Sequence, residues 1–236
     1  FDAFYGQGEI EQMVDVTYER GYVSDDSFVD ALIQQLESAD EPLFLWGISM
    51  ENHQTYYPLE ETAEITVSNP HLSKDLTEAV TTYTQGVAHS AAALEKLYSY
   101  IQNRERETLL VFFGDHLPTL GGNHAAYAAT GMFDGPADNT EQAKLMYGTP
   151  FMITANYPLA EINAPHQISD YNLLPLAAKL GDLSRSAYLN RQLALMEQTP
   201  YYSSLLYPNP DPAQTEFSRL HELITYDRLV GEQYSK

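Results

Sequence analysis

The chain has no cysteine among its 236 residues. That excludes disulfide cross-links, thiolate metal sites and a cysteine nucleophile, and fits a cytosolic or an extracytoplasmic home equally well. Basic residues are scarce: 12 Lys and Arg stand against 33 Asp and Glu, giving a formal net charge of −21. Such a field repels nucleic acid, and no basic stripe overcomes it locally, so nucleic-acid partners are excluded. It equally opposes anionic substrates unless a bound cation reverses the potential at the site. No apolar run approaches the ~18 residues that span a bilayer, and no signal peptide opens the chain. A G-x-S-x-G elbow, a Walker glycine loop and an H-E-x-x-H pair are all missing, so no catalytic nucleophile is identified in these residues. The opening "FDAFYGQGEI" lacks an initiator methionine, which reads as a trimmed piece of something longer.

What is present is ordinary globular composition, 44% hydrophobic and 19% charged. Three short apolar runs, residues 43–49, 108–114 and 150–155, read as buried parallel strands. After Ser24, a candidate N-cap, Phe28, Leu32 and Leu36 recur at helical spacing. Residues 73–103 form the longest predicted helix, stepping through Leu76, Val80, Tyr83, Val87, Ala91, Leu94, Leu97 and Ile101. A further helix is predicted over 169–182, with Asp170 as cap, Pro175 near the first turn and Gly181 as stop. The tail, 214–229, presents Phe217, Leu220, Leu223 and Ile224 on one face. This alternation predicts an α/β fold, a mainly parallel sheet flanked by helices with right-handed crossovers. Residues 1–206 read as one domain, and 207–236 as a proline-rich connector and terminal helix packed on that same domain. The Gly- and Ala-rich stretch 121–142 is long for a loop in a compact domain, and such loops are often functional.

In an open parallel sheet, ligands bind beyond the carboxyl ends of the strands. Asp115 and His116 follow the 108–114 run directly, and Asn52 and His53 follow the 43–49 run. With 73–103 as the crossover between them, both loops are expected on one rim. A carboxylate beside an imidazole offers a mixed oxygen and nitrogen donor set, suited to manganese or zinc and less to magnesium. Gly114 allows a close turn there and Pro118 stiffens the exit. A bare Asp–His pair is also what a capped strand-end turn looks like, and His53 is equally read as a loop histidine packed beside Tyr56 and Tyr57. His124 and His166 are further candidates for the same rim, whereas His71, His89 and His221 read as surface or packing residues.

The strings "ISMENHQTYYP" and "LLVFFGDHLP" resemble the sulfatase-like, metal-dependent phosphoglycerol transferases related to lipoteichoic acid synthase, in the alkaline phosphatase superfamily. "GYVSDDSFVDALIQQL", "TTYTQGVAHSAAALEKLYSYI", "YGTPFMITAN" and "ISDYNLLPLAAKLGDL" agree in order, so the resemblance covers most of residues 1–183. It implies that Asp115 and His116 are two ligands of one divalent metal, foremost Mn2+ with Mg2+ or Zn2+ as alternatives. It implies that His53 contacts the phosphoryl group of the substrate, and that the substrate is an anionic lipid headgroup carrying phosphoglycerol. It further implies a threonine nucleophile and another acidic ligand upstream of Phe1, a covalent intermediate, and residence at the extracytoplasmic face of a bacterial membrane through an N-terminal segment. On that basis the chain is the C-terminal portion of a catalytic domain, expected to bind metal weakly and to turn over nothing by itself. A sulfatase or phosphodiester hydrolase on the same fold, and a non-catalytic binding domain on that scaffold, are the competing expectations.

Overall fold

The computed structural model describes residues 2–59, 63–132, 140–202 and 212–234. The chain divides into two compact units: residues 1–105 with 118–136, and residues 106–117 with 137–236.

The first unit is built on two helices. Helix α1 spans Gln7–Met13. A two-stranded antiparallel hairpin follows, β1 (Tyr18–Glu19) against β2 (Tyr22–Val23). Its two-residue turn has Arg20 at φ 52° and Gly21 at φ 86°, the left-handed pair that matches the twist of a tight hairpin. Helix α2, Asp25–Ser38, starts where Ser24 accepts a hydrogen bond from the Ser27 amide, as its N-cap role requires. Helix α3, Lys74–Gln102, is likewise capped by Ser73, which accepts from the Leu76 amide. α2 and α3 pack together, and Lys96 ties them on the outside with bonds of 2.7 Å to Asp26 and 2.8 Å to Asp30.

The buried stripe of α3 follows the apolar one read from the sequence only at Leu97 and Ile101. In its C-terminal half Ala93, Leu97 and Ile101 are buried, but in the N-terminal half the buried residues are Thr82, Gln85 and Gly86. Val87 and Ala91 face solvent. Polar groups therefore point inward halfway along α3, and each must find a partner there.

Residues 43–49 form no regular element, and among the described residues they pair with no strand. Gly47 lies against α2, where a Cβ would come within 2.8 Å of the Phe28 ring. Phe44, Trp46 and Ile48 alternate with that contact and are exposed. An apolar run becomes a strand only when neighbours satisfy its edges, and here one face rests on a helix instead.

In the second unit, β3 (Leu109–Phe113) pairs with β4 (Phe151–Ala155) in antiparallel register, Leu109 opposite Ala155 and Phe113 opposite Phe151. The expected mainly parallel sheet is therefore corrected: among the described residues the chain has two sheets, each of two antiparallel strands. The reason is local. The chain leaves β3 at Phe113 and re-enters β4 directly opposite, with the Gly114 amide bonded to the Pro150 carbonyl at 3.0 Å. The connection thus returns to the same end, whereas a parallel pair needs it to cross to the other. Apolar runs such as these, half-buried along their whole length, read alike in both directions.

Helix α4 (Ala125–Thr130, in the first unit) lies within the long Gly- and Ala-rich stretch, and α5 (Thr140–Tyr147, in the second) begins at its end. In the second unit a 3-10 turn, Asp170–Asn172, leads into α6, Leu173–Leu180, which ends at Gly181. Helix α7, Ala187–Gln198, is capped by Ser186 and was not read from the sequence. Leu176, Leu193 and Met196 form the core, with Phe151, Ile153 and Ile168 packed on it. Helix α8, Pro212–Leu229, places Phe217 among the rings of Tyr171, Tyr202 and His221. Most of the proline-rich connector lies outside the described residues. Among the described residues no helix is long and apolar enough to cross a membrane.

Candidate functional site

Asp115 and His116 emerge from β3 in the second unit. Gly114 closes the strand: Thr149 Oγ1 donates to its carbonyl at 2.7 Å, and a Cβ there would stand 3.2 Å from the Thr149 side chain. Both following side chains are exposed. The His116 amide donates to Asp115 Oδ1 at 2.8 Å, which is the capped turn that the dipeptide also allows. The second carboxylate oxygen remains, and Oδ2 stands 3.5 Å from His116 Nε2.

The tautomer of the neutral His116 ring follows from its other nitrogen. Nδ1 lies 3.1 Å from the Leu117 carbonyl, an acceptor, so Nδ1 carries the proton and Nε2 the lone pair. Lone pairs on Oδ2 and Nε2 then face one space. Two ligands held about 2.1 Å from a tetrahedral ion stand about 3.4 Å apart, so this pair fits two positions of a divalent metal. The backbone hydrogen bonds of Nδ1 and Oδ1 would fix the orientation of both ligands. No third His, Asp or Glu joins them in a metal-holding group among the described residues.

His53 lies in the first unit, in the loop after the 43–49 segment, and is exposed. Its Nδ1 is 2.8 Å from the Gln54 carbonyl, and the Tyr22 hydroxyl stands 3.4 Å from the same nitrogen. Nδ1 is therefore the protonated nitrogen of the neutral ring, and Nε2 has no partner among the described residues. To donate through Nε2 to a phosphoryl oxygen, the ring must be the imidazolium, whose charge-assisted bond is the stronger kind.

The loop is held by a network that sequence reasoning missed. Glu51 is 2% exposed, although it is a carboxylate two residues from an exposed histidine. Its Oε1 accepts from His89 Nδ1 at 2.7 Å and its Oε2 from the Asp25 amide at 2.6 Å, at the first turn of α2. Burial pushes the Glu51 carboxyl up, against these two bonds, which pull it down. Asp25, also buried, accepts from the Ser90 hydroxyl. Arg20 reaches from the hairpin turn to donate to the carbonyls of Glu51 and, at 3.2 Å, His53. Tyr56 donates to the Asn52 carbonyl at 2.8 Å. The available signal was the polar stripe Thr82, Gln85, His89 on α3, spaced by threes and fours like the apolar one beside it.

From Pro118 onward, up to residue 136, the chain belongs to the first unit again. Thr119 donates to the Gln54 side chain at 2.7 Å, and Tyr127 donates to the Pro118 carbonyl at 2.8 Å. Burial, with Tyr83 and Tyr56 nearby, pushes the Tyr127 hydroxyl up to about 12, so it stays a neutral donor. Leu120, Gly121, Asn123 and His124 all have positive φ, and at Gly121 a Cβ would come within 2.6 Å of Leu76. His124 sits in this strained turn, tilted against the Tyr127 ring at 6.0 Å. His166 lies in the second unit and is exposed. Thus Asp115 and His116 come together in one unit, while His53 and His124 belong to the other.

The family model for sulfatases matches residues 1–183. A Rhizobium meliloti protein named "Putative cyclic beta-1,2-glucan modification protein" is 29% identical over 165 residues, covering 66% of this chain and 24% of its own length. An uncharacterized protein of Haemophilus influenzae is 30% identical over 82 residues, 34% of this chain and 14% of its own. The chain therefore spans a quarter or less of those relatives. In structure, the Streptococcus pyogenes phosphoglycerol transferase GacH, solved with sn-glycerol-1-phosphate, superposes with a TM-score of 0.74 at 17% identity. That match covers 94% of this chain and 53% of the other. It establishes a shared fold.

Proposed function

This chain belongs to the sulfatase family, and from that premise we propose that the protein is a metal-dependent transferase moving phosphoglycerol from a lipid headgroup through a covalent intermediate. Members of the family generally use a divalent metal, and the observation that carries the reading is the Asp115–His116 pair. Its Oδ2 and Nε2 stand 3.5 Å apart, with the backbone occupying the other nitrogen of the ring. These two residues would hold the ion, Mn2+ foremost for a mixed oxygen and nitrogen set. When bound, such an ion neutralises charge on the phosphoryl oxygens and lowers the pKa of a hydroxyl nucleophile. His53 as imidazolium donates through Nε2 to a phosphoryl oxygen. In a protein of net charge −21, these local positive charges are what allow an anionic headgroup to approach. The phosphoglycerol substrate is supported by the ligand of the GacH structure, a fold relative. On this reading the protein works at the extracytoplasmic face of a bacterial membrane.

The family also supports sulfate-ester hydrolysis, with water as the acceptor. Supplying the full-length protein with a phosphatidylglycerol analogue and an aryl sulfate, each with Mn2+, separates the two. Release of diacylglycerol and transfer of glycerol phosphate to an added glycan acceptor is the expected outcome. Rapid sulfate release without glycerol phosphate transfer would sink the transferase reading.

A further inference from the structure

The polar network beneath the His53 loop has a direction, and the direction can be read from its hydrogen bonds. The Ile65 amide donates to Gln85 Oε1 at 3.2 Å, which fixes the Gln85 side-chain amide. Its NH2 group is then the one 3.0 Å from His89 Nε2, so that nitrogen accepts. The proton of neutral His89 must therefore reside on Nδ1, where it is donated to Glu51 Oε1 at 2.7 Å. Glu51 Oε2 is occupied from the other side by the Asp25 amide at the start of α2, where the helix dipole favours negative charge. Each oxygen of the buried carboxylate thus meets a donor whose orientation is set by a different helix. The next residue is locked as well: a Cβ on Gly86 of α3 would come within 2.2 Å of Asn52 Oδ1. Glu51 and Asn52 are held against α2 and α3, and His53, the next residue, has an exposed side chain.

We propose that Glu51 and His89 are positioning residues for His53, a buried carboxylate–imidazole clamp that fixes the backbone from which His53 reaches the phosphoryl group. This rests on the reading that His53 binds phosphoryl oxygen. A residue that only stabilised the fold would lower the population of folded protein and leave binding by the folded fraction unchanged. The clamp instead sets the position of Nε2, so its loss weakens binding through His53 alone. Glu51→Gln is the informative change. The side chain keeps its shape, but an NH2 group now faces either the His89 Nδ1–H or the Asp25 N–H. The tautomer of His89 cannot relieve that clash while Gln85 is held by Ile65.

The test is a double-mutant cycle in the full-length protein, with sn-glycerol-1-phosphate as the probe and Mn2+ present, binding being read by calorimetry on folded protein. Glu51→Gln is expected to weaken binding about 10-fold, the lower range for outer-shell partners in metal sites. It should cause no further loss in a His53→Ala background, because coupled residues are non-additive. His89→Gln, at a half-buried position, carries the same comparison if Glu51→Gln does not fold. Equal weakening in both backgrounds, or no weakening of the folded single variant, overturns the clamp. If His53→Ala alone leaves binding unchanged, the phosphoryl role of His53 falls first and the clamp falls with it. If His53→Ala weakens binding while neither clamp variant does, only the clamp falls.

Discussion

Asp115→Ala in the full-length protein is expected to abolish stoichiometric metal binding and to lower kcat/KM by at least about 100-fold, the upper range for disturbed outer-shell partners and a floor for a ligand itself. The fold should be indifferent. The carboxylate is exposed, and among the described residues it accepts a hydrogen bond from the adjacent His116 amide, which water can replace. Surface changes of this kind stay within about 0.5 kcal/mol, a shift of roughly 2 °C or less in Tm for a chain of this size. Asp115→Asn keeps an acceptor for the amide but loses the charge, so it should fall between the two in metal content. Metal analysis and a thermal melt on the same samples check the claim. Wild-type stoichiometry in the alanine variant would remove Asp115 from the site.

The second large effect concerns a glycine in the middle of a helix. Gly86→Ala should gain about 1 kcal/mol from helix propensity, yet we expect a net loss of stability. The new Cβ would lie 2.2 Å from Asn52 Oδ1 and 2.7 Å from Asn52 Cγ. Relief requires the Asn52 side chain to rotate away from the Arg20 guanidinium 3.5 Å from Oδ1, or its backbone, which accepts from Tyr56, to move. Overpacking of this type costs about 1–3 kcal/mol, which outweighs the propensity gain and displaces the His53 loop. Gly8, also helical, is the control: nothing lies within 4 Å of its missing Cβ, so Gly8→Ala should be neutral or stabilising. Chemical denaturation of both variants, with sn-glycerol-1-phosphate binding measured alongside, decides the matter. The same sign for both substitutions would show that the contact with Asn52 carries no energy.

These effects also mark where the sequence was readable. α2 announces itself through Ser24, a small hydroxyl residue just before helical periodicity, and that cap forms as expected; α3 was read from its periodicity alone, and Ser73 proves to cap it in the same way. The start of α6 is read within a few residues because Pro175 and Gly181 punctuate it. Helix α7 went unread because "AYLNRQLALMEQ" mixes polar residues into a face that is buried through Gln192 as well as Leu193 and Met196. The direction of β3 and β4 was not encoded in their apolar runs; it depends on where the chain re-enters, and that is set by contacts of the residues between. The place of Asp115 and His116 at the end of β3 was legible because an apolar run stops at Gly114 just before them; their role as ligands comes from the resemblance and is the proposal made above. The clamp under His53 was not, since a glutamate in "MENHQ" and a histidine on a helix each look like ordinary surface. Only the fold shows Glu51 buried with both oxygens engaged.

The most direct test of the account is a titration of sn-glycerol-1-phosphate into the full-length protein, with and without Mn2+, for wild type, His53→Ala, Asp115→Ala and His116→Ala. The expected result is binding by the wild type that requires the metal, and affinity at least about 10-fold weaker in each variant, as loss of a charge-assisted contact or of a ligand demands. Metal-independent binding, or wild-type affinity in all three variants, would contradict it.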